Sequence, residues 1–103
     1  MQWKYTYGFE PTEFATTIAM EDDYALKADE KDLFLAFSCS AASKTLTLGL
    51  AEGQCMIIAN IGGTNAVTVA NHADDTGTSV AKDKVALVIG SSTADASKIY
   101  ILN

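Results

Sequence analysis

The sequence predicts an all-β protein, a compact antiparallel β-sandwich or barrel of seven to nine short strands. From Tyr24 onward, apolar or alternating runs of about four to eight residues recur between clusters of Gly, Asn, Asp and Ser. No helix of ordinary length fits between these clusters. Hydrophobic residues make up 49% of the chain, which contains a single proline, as is typical of a folded domain. We predict one sandwich domain over residues 22–103, preceded by an aromatic arm and loop over residues 1–21.

The arm begins with alternating aromatic residues. Trp3, Tyr5 and Tyr7 would lie on one face of a strand that Gly8 ends. Two interpretations stay open: an edge strand that covers the domain's own core, or a segment that docks on another subunit. The second is possible because Tyr and Trp are enriched at protein interfaces.

Residues 9–20 carry mixed signals. Phe14 and Ile18 are spaced as on one side of a helix. The β-branched residues Thr16 and Thr17 weaken a helix. We predict a loop with one helical turn.

The first half of the β domain begins with a short strand at Tyr24–Lys27 and a charged turn over residues 28–32. Leu33–Ser38 is nearly continuous apolar sequence, which predicts that both faces are covered, one by the core and the other by a neighbouring chain. Leu46–Leu50 alternates as a half-buried strand. Ala51–Gly53 follows as a tight turn.

Gln54–Asn60 is the most apolar run and is expected to be the central strand. Ile61–Asn65 then predicts a hairpin connection. The remaining predicted elements are the strand Val67–Val69, the polar loop Asn71–Thr78, a brief strand at Val80 with a turn at Asp83, the strand Val85–Ile89, the polar loop Ser91–Ser97 and the closing strand Ile99–Leu102.

Charge and hydropathy exclude several classes of partner. The net charge is −6, with 13 acidic against 7 basic residues, and nucleic-acid binding requires clustered Lys and Arg. No run approaches the roughly 18 apolar residues of a membrane span. The N-terminus lacks the apolar region of a secretory signal. We therefore expect no nucleic acid, no membrane and no targeting segment.

Cys39 and Cys55 are expected to be free, buried thiols, as in reducing compartments. A bridge between them stays open because spacing alone does not decide pairing. The acidic triplet Glu21–Asp23 is interpreted as a solvated turn, because calcium loops place their ligands at alternate positions.

Candidate chemistry centres on the chain's one histidine. An exposed loop is predicted at Asn71, His72, Asp74 and Asp75, with a weak divalent-cation site or an acid–base pair as alternatives. A zinc site requires three or four ligands, and no Gly-x-Ser-x-Gly or phosphate-binding motif occurs. We therefore predict no catalytic residue, no metal and no cofactor. A small enzyme of sandwich or cupin-like type remains as a third functional hypothesis.

The order of strands and turns resembles that of small β modules from bacteriophage surface proteins: head-decoration proteins, head fibres and tail-fibre tips. The matching features are Tyr24-Ala25-Leu26 with the acidic turn Asp29–Asp32, the strand Leu46–Leu50 with Glu52-Gly53-Gln54, Ile58-Ala59-Asn60 before a Gly/Thr turn, Val67–Val69, and Ile99–Leu102. The resemblance covers about four fifths of the chain. It departs at Gly49-Leu50-Ala51 and in the first 21 residues.

The resemblance implies a non-enzymatic virion structural protein that forms a homotrimer and binds the major capsid protein at the virion surface, after assembly in the host cytoplasm. A chain of 103 residues has no room for a fibre shaft, which favours a capsid decoration (cement) or head-fibre protein. The alternative is a receptor- or carbohydrate-binding module of a phage fibre, with Asn71–Thr78 and Ser91–Ser97 as contact loops.

Surplus apolar sequence at Leu33–Phe37 and Val85–Ile89 also predicts subunit contacts. The residues expected to contact the capsid or a neighbouring subunit are Trp3, Tyr5, Tyr7, Phe9, Phe14, Phe34 and Phe37.

Overall fold

Nine β-strands in two mixed sheets make up the computed structural model, which describes residues 16–62 and 65–103. The strands are β1 Thr16–Met20, β2 Tyr24–Ala25, β3 Phe34–Cys39, β4 Lys44–Thr47, β5 Cys55–Gly62, β6 Val67–Ala70, β7 Thr78–Val80, β8 Val85–Ile89 and β9 Lys98–Ile101. A 3-10 turn, Ala28–Glu30, occupies the predicted charged turn between β2 and β3. The all-β class and the number of short strands are confirmed for the described residues.

The first six strands alternate between the two sheets. The five-stranded sheet has the order β1-β3-β5-β8-β9, and the four-stranded sheet has the order β2-β4-β6-β7. Neighbours among the first six strands are all parallel, namely β1/β3, β3/β5, β2/β4 and β4/β6. The chain therefore winds as a coil, in which each strand lies beside the strand one turn earlier. The last three strands then add in antiparallel fashion.

Two predictions about connectivity are wrong. The sheets are mixed and not antiparallel, and Ile61–Asn65 does not close a hairpin, because β5 and β6 belong to different sheets. The physical reason is that strand–turn–strand sequence looks the same whether the second strand pairs with the first or crosses to the other sheet. Within the described residues neither sheet closes into a barrel. The prediction that the Gln54–Asn60 strand is central is confirmed by the position of β5.

The coil stacks residues from successive turns. Tyr24, Leu46 and Val69 are neighbours across the four-stranded sheet. Ile18 and Phe37 are neighbours in the other sheet. One continuous cluster of buried side chains contains residues of both sheets. The inward-facing residues of both sheets therefore share a single hydrophobic core.

The segment predicted as a loop with a helical turn forms β1 over Thr16–Met20. Ile18 and Met20 are buried in the core, and the whole strand pairs with β3. Burial of these two side chains and a parallel ladder with β3 decide the conformation, and both depend on sequence far along the chain. The β-branched residues at its start, which argued against a helix, fit a strand.

Candidate interaction surfaces

The face of the five-stranded sheet that points away from the core is apolar. Leu35, Ile58 and Ala86 belong to the core cluster, so their strand neighbours point outward. Strand register places four large residues in one row across the sheet: Phe34, Ile57, Leu87 and Tyr100. We call this surface the outer face; its apolar residues are Phe34, Ala36, Ile57, Ala59, Val85, Leu87, Ile89, Tyr100 and Leu102.

Exposure on the outer face is greatest at β9. Tyr100 is 51% exposed and Leu102 is 54% exposed, whereas Ile57 and Leu87 are half-buried. Ala36 and Ala59 of the same face are 0% and 5% exposed, so the exposed part of the outer face is concentrated on β9. Contiguous apolar patches on soluble monomers are often functional. The outer face is therefore a candidate protein–protein surface.

The predicted contact residues fall into three groups. Phe34 lies half-buried on the outer face, whereas Phe37 is fully buried in the core and offers no surface to a partner. The other five, Trp3, Tyr5, Tyr7, Phe9 and Phe14, lie outside the described residues.

Sequence reasoning did not select Tyr100 and Leu102 as contact residues. The signal was present in the apolar run Ile99–Leu102, which no polar residue interrupts on either face.

A second candidate surface is formed by the two polar loops named in the sequence analysis, together with the turn at Glu52. Asn71 joins these segments: its amide NH₂ donates to the carbonyls of Leu50 and Ser91, both at 3.1 Å, and its Oδ1 accepts from the Leu50 N–H. Asn71 is only 1% exposed, so its prediction as an exposed residue is wrong. Just after the end of β6, the buried side-chain amide of Asn71 therefore makes the hydrogen bonds that link this part of the chain to Leu50 and Ser91.

His72 also connects the loops. Its Nε2 lies 2.6 Å from the carbonyl oxygen of Ser91. A carbonyl only accepts hydrogen bonds, so Nε2 carries the hydrogen. The backbone N–H of His72 donates to the Asp75 carboxylate at 3.0 Å. The imidazole therefore holds two loops together and is half-buried, while Asp74 is exposed as predicted.

Carboxylates fix the loops by accepting backbone hydrogen bonds. Asp75 accepts from the Asp95 N–H at 2.6 Å, and Asp95 accepts from the Thr76 N–H at 3.0 Å. Partial burial raises the pKa of Asp75, but the N–H groups of Asp95 and His72 outweigh it, and the net pKa is lowered. The loops therefore favour the ionised form of Asp75.

Glu52 joins the turn after β4 to the 91–97 loop. Its carboxylate accepts from the N–H of Ser92 at 2.9 Å and from the hydroxyls of Ser92 and Ser91 at 3.0 and 3.1 Å. These bonds, led by the Ser92 N–H, lower the pKa of Glu52. Thus three loops that are distant in sequence form one hydrogen-bonded cluster.

A shallow cleft of about 210 Å³ opens beside this cluster. It is lined by Ala70, Asp75, Thr76, Gly77, Thr78, Asp95, Ser97 and Ile99. Carboxylates, hydroxyls and two aliphatic side chains therefore share one concave surface. The cleft can offer hydrogen-bond acceptors and donors to a small polar ligand.

We expect the loop cluster to loosen in acid. The lowered pKa values of Asp75 and Glu52 mean that their contribution to stability is present above their ordinary values, near pH 4, and is lost as the pH falls through the lowered values. Amide hydrogen exchange at His72, Ser92 and Asp95 should speed up below about pH 4 relative to amides of β5. Glu52→Gln should bring faster exchange at Ser92 already at neutral pH.

The matched control is Asp74→Asn, which changes an exposed carboxylate of the same loop. It should leave the Ser92 and Asp95 amides as protected as in the parent protein. Equal acceleration in both variants would contradict the role given to Glu52.

Both cysteines are free: Cys39 is buried and Cys55 is exposed. The prediction of buried thiols is therefore confirmed for Cys39 and wrong for Cys55. Cys55 is the first residue of β5 and lies opposite Ile89 of β8.

Within residues 16–62 and 65–103, no three His, Cys, Asp or Glu side chains are grouped so as to hold a metal ion. The same residues include no helix long and apolar enough to cross a membrane.

Comparison with known proteins gives no relative: no family model, curated protein or solved structure matches the chain.

Proposed function

We propose that this protein is a non-enzymatic structural module whose two sheets form a sandwich and which assembles into a symmetric homotrimer through the outer face of the five-stranded sheet. The observation that carries the proposal is the apolar row Phe34, Ile57, Leu87 and Tyr100, which lies on the side of the sheet away from the core. Such a surface favours association, because pairing removes apolar area from water.

We further propose that the assembly decorates a phage capsid, as a cement or head-fibre protein that contacts the major capsid protein. The support is the resemblance in the order of strands and turns, together with a surface suited to subunit contacts. Trimers fit the three-fold axes of capsids, and closed symmetric assemblies are the usual form of homo-oligomers. The capsid proposal predicts that peptides of this chain occur in gradient-purified phage particles; their absence from such particles would contradict it.

Self-association is tested by Tyr100→Glu. A charge placed in the row should weaken the homo-oligomer by more than about tenfold, because an interface anchor contributes on the order of 2 kcal/mol. Analytical ultracentrifugation over a concentration series measures the change. Ser79→Glu is the matched control, since Ser79 is exposed on an edge strand of the other sheet. A parent protein that stays monomeric at high concentration would refute the proposal.

The second candidate function is recognition of a receptor or carbohydrate by the loop cluster. The specific observation is the cleft between the loops, with Asp95 and Thr76 presenting acceptor and hydroxyl groups beside Ile99. Polar groups converging around an apolar wall are typical of small-ligand sites. A glycan array should then show binding that falls in Asp95→Asn, which keeps one oxygen for the Thr76 N–H. An array without hits would remove this candidate.

A further inference from the structure

We propose that β9 pairs edge to edge with β9 of a second copy, antiparallel and across a two-fold axis at Tyr100. The five-stranded sheets of the two copies then form one continuous sheet. The proposed trimer uses the outer face, whereas this contact uses the backbone edge of the sheet and therefore goes beyond that proposal.

The edge of β9 presents backbone groups that face away from the sheet. The Leu102 N–H donates to the Val85 carbonyl at 2.8 Å, and alternate residues of an antiparallel strand face the same neighbour. Tyr100 therefore also directs its backbone N–H and C=O toward β8, whereas Ile99 and Ile101 direct theirs outward. Because β9 is the last strand of its sheet, no strand of the described residues pairs with these outward groups.

Asn103 extends the line of β9 and does not turn over its free edge. The Asn103 Oδ1 accepts from the Val85 N–H at 2.8 Å, and its Nδ2 donates to the Asp83 carbonyl at 3.3 Å. Both partners belong to β8 or to the turn before it. The residue that follows Leu102 is therefore held on the β8 side, and the outer edge of the strand is left open.

β9 also lacks the features by which edge strands usually avoid pairing, such as short length and charged side chains. In the four-stranded sheet, the edge strands β2 and β7 have only two and three residues. In the five-stranded sheet, β1 leads directly into the acidic triplet Glu21–Asp23. β9 has four residues and carries charge only at Lys98. Of the described sheet edges, β9 is therefore the one best suited to pairing.

A two-fold axis at Tyr100 makes the strand complementary to itself. Ile99 of each copy then lies opposite Ile101 of the other, and the outward N–H and C=O groups of these pairs form four hydrogen bonds. Lys98 lies opposite Leu102, so the two ammonium groups stay apart. An in-register parallel pairing would instead place the two Lys98 side chains next to each other, which is unfavourable. The charge pattern therefore favours the antiparallel pair of identical strands.

Apolar side chains on both sides of β9 gain cover from this pairing. Ile101 lies on the core side of the sheet and is 41% exposed; in the pair it packs on Ile99 of the other copy. On the outer face, Tyr100 packs beside Tyr100 of the other copy, and Leu102 packs on the methylene groups of Lys98. Removing these apolar surfaces from water favours association. Since the Tyr100 rings stay on the outer face, the contact leaves that face available for the proposed trimer.

Amide hydrogen exchange of the full-length parent protein over a concentration series tests the edge contact. At high concentration the amides of Ile99 and Ile101 should exchange more slowly by on the order of tenfold, whereas those of Tyr100 and Leu102 should stay equally protected throughout. An oligomer in which Ile99 and Ile101 exchange as fast as in the dilute protein overturns the inference and leaves the proposed outer-face assembly standing. Protection of these two amides in the dilute monomer overturns it as well, because the chain's own residues would then cover the edge. A protein that is monomeric at every concentration overturns both proposals.

A disulfide test addresses the two-fold axis, because only a residue on the axis meets its own copy. In a Cys55→Ser background, Tyr100→Cys should give a disulfide-linked dimer under mild oxidation, since opposite residues of a non-hydrogen-bonded pair lie about 4.5 Å apart at Cα, within disulfide range. Leu87→Cys, on the same face but one strand further in, is the matched control and should stay unlinked. The buried Cys39 is common to both variants. No linked dimer from Tyr100→Cys, or an equal yield from Leu87→Cys, overturns the two-fold pairing.

Discussion

Phe37→Ala is expected to lower the free energy of unfolding by about 3–5 kcal/mol, as large-to-small changes of buried aromatic residues do. Phe37 is fully buried on β3, where it lies between Ile18 of β1 and Asn60 of β5. Removing its ring leaves a cavity that neighbours on two strands fill only in part. Urea unfolding followed by circular dichroism, at one fixed protein concentration, measures the loss.

Phe34→Ala is the matched control on the other side of the same strand. Phe34 is half-buried on the outer face, so its truncation should cost the monomer less than Phe37→Ala and should weaken self-association more. The two variants thus separate a core residue from a residue of the proposed interface, which the sequence did not distinguish. A larger loss of association in Phe37→Ala, with stability unchanged, would contradict this assignment.

Gly77→Ala is expected to destabilise the protein by about 2–4 kcal/mol, combining a left-handed backbone with overpacking. The φ angle of Gly77 is +78°, and an added Cβ would lie 2.8 Å from both Thr68 Cγ2 and the Val69 carbonyl oxygen. Neither neighbour can move freely, because both belong to β6. Thermal unfolding should show a midpoint lower by about 10 °C or more.

Gly53→Ala provides a close control, because Gly53 has the same φ of +78° and no atom within 4 Å of the added Cβ. Gly53→Ala therefore measures only the loss of stability caused by a side chain at positive φ, about 1–2 kcal/mol. The difference between the variants therefore measures the contact of Gly77 with β6. Equal losses of stability in the two variants would show that the contact with β6 adds nothing to the destabilisation by Gly77→Ala.

The sequence located most elements of the β domain. Alternation at Leu46, Leu48 and Leu50 correctly predicted three buried leucines, although the strand itself ends at Thr47. The turn residues at 51–53 and Asp83 also lie where expected, the latter with a left-handed φ of +65°. These features are local: a side-chain period or a turn preference decides them within a few residues.

The surfaces were predicted less completely. The two polar loops were named as possible contact loops, but nothing in their spacing showed that Asn71 and His72 would bond to Ser91 and bring both together with Glu52. Likewise, the row from Phe34 to Tyr100 depends on strand register. Such contacts join residues far apart in the chain, which sequence patterns do not encode.

The sequence by itself determined that this chain forms short β-strands around an apolar core and that the apolar residues exceed what one face of a sheet needs. Only the tertiary structure decided that the first six strands alternate between two mixed sheets and that Thr16–Met20 joins one of them. It also decided that the surplus gathers on one outer face. The physical reason is that periodicity fixes which side of a strand is apolar, whereas long-range backbone pairing decides which strands, and therefore which sides, lie together.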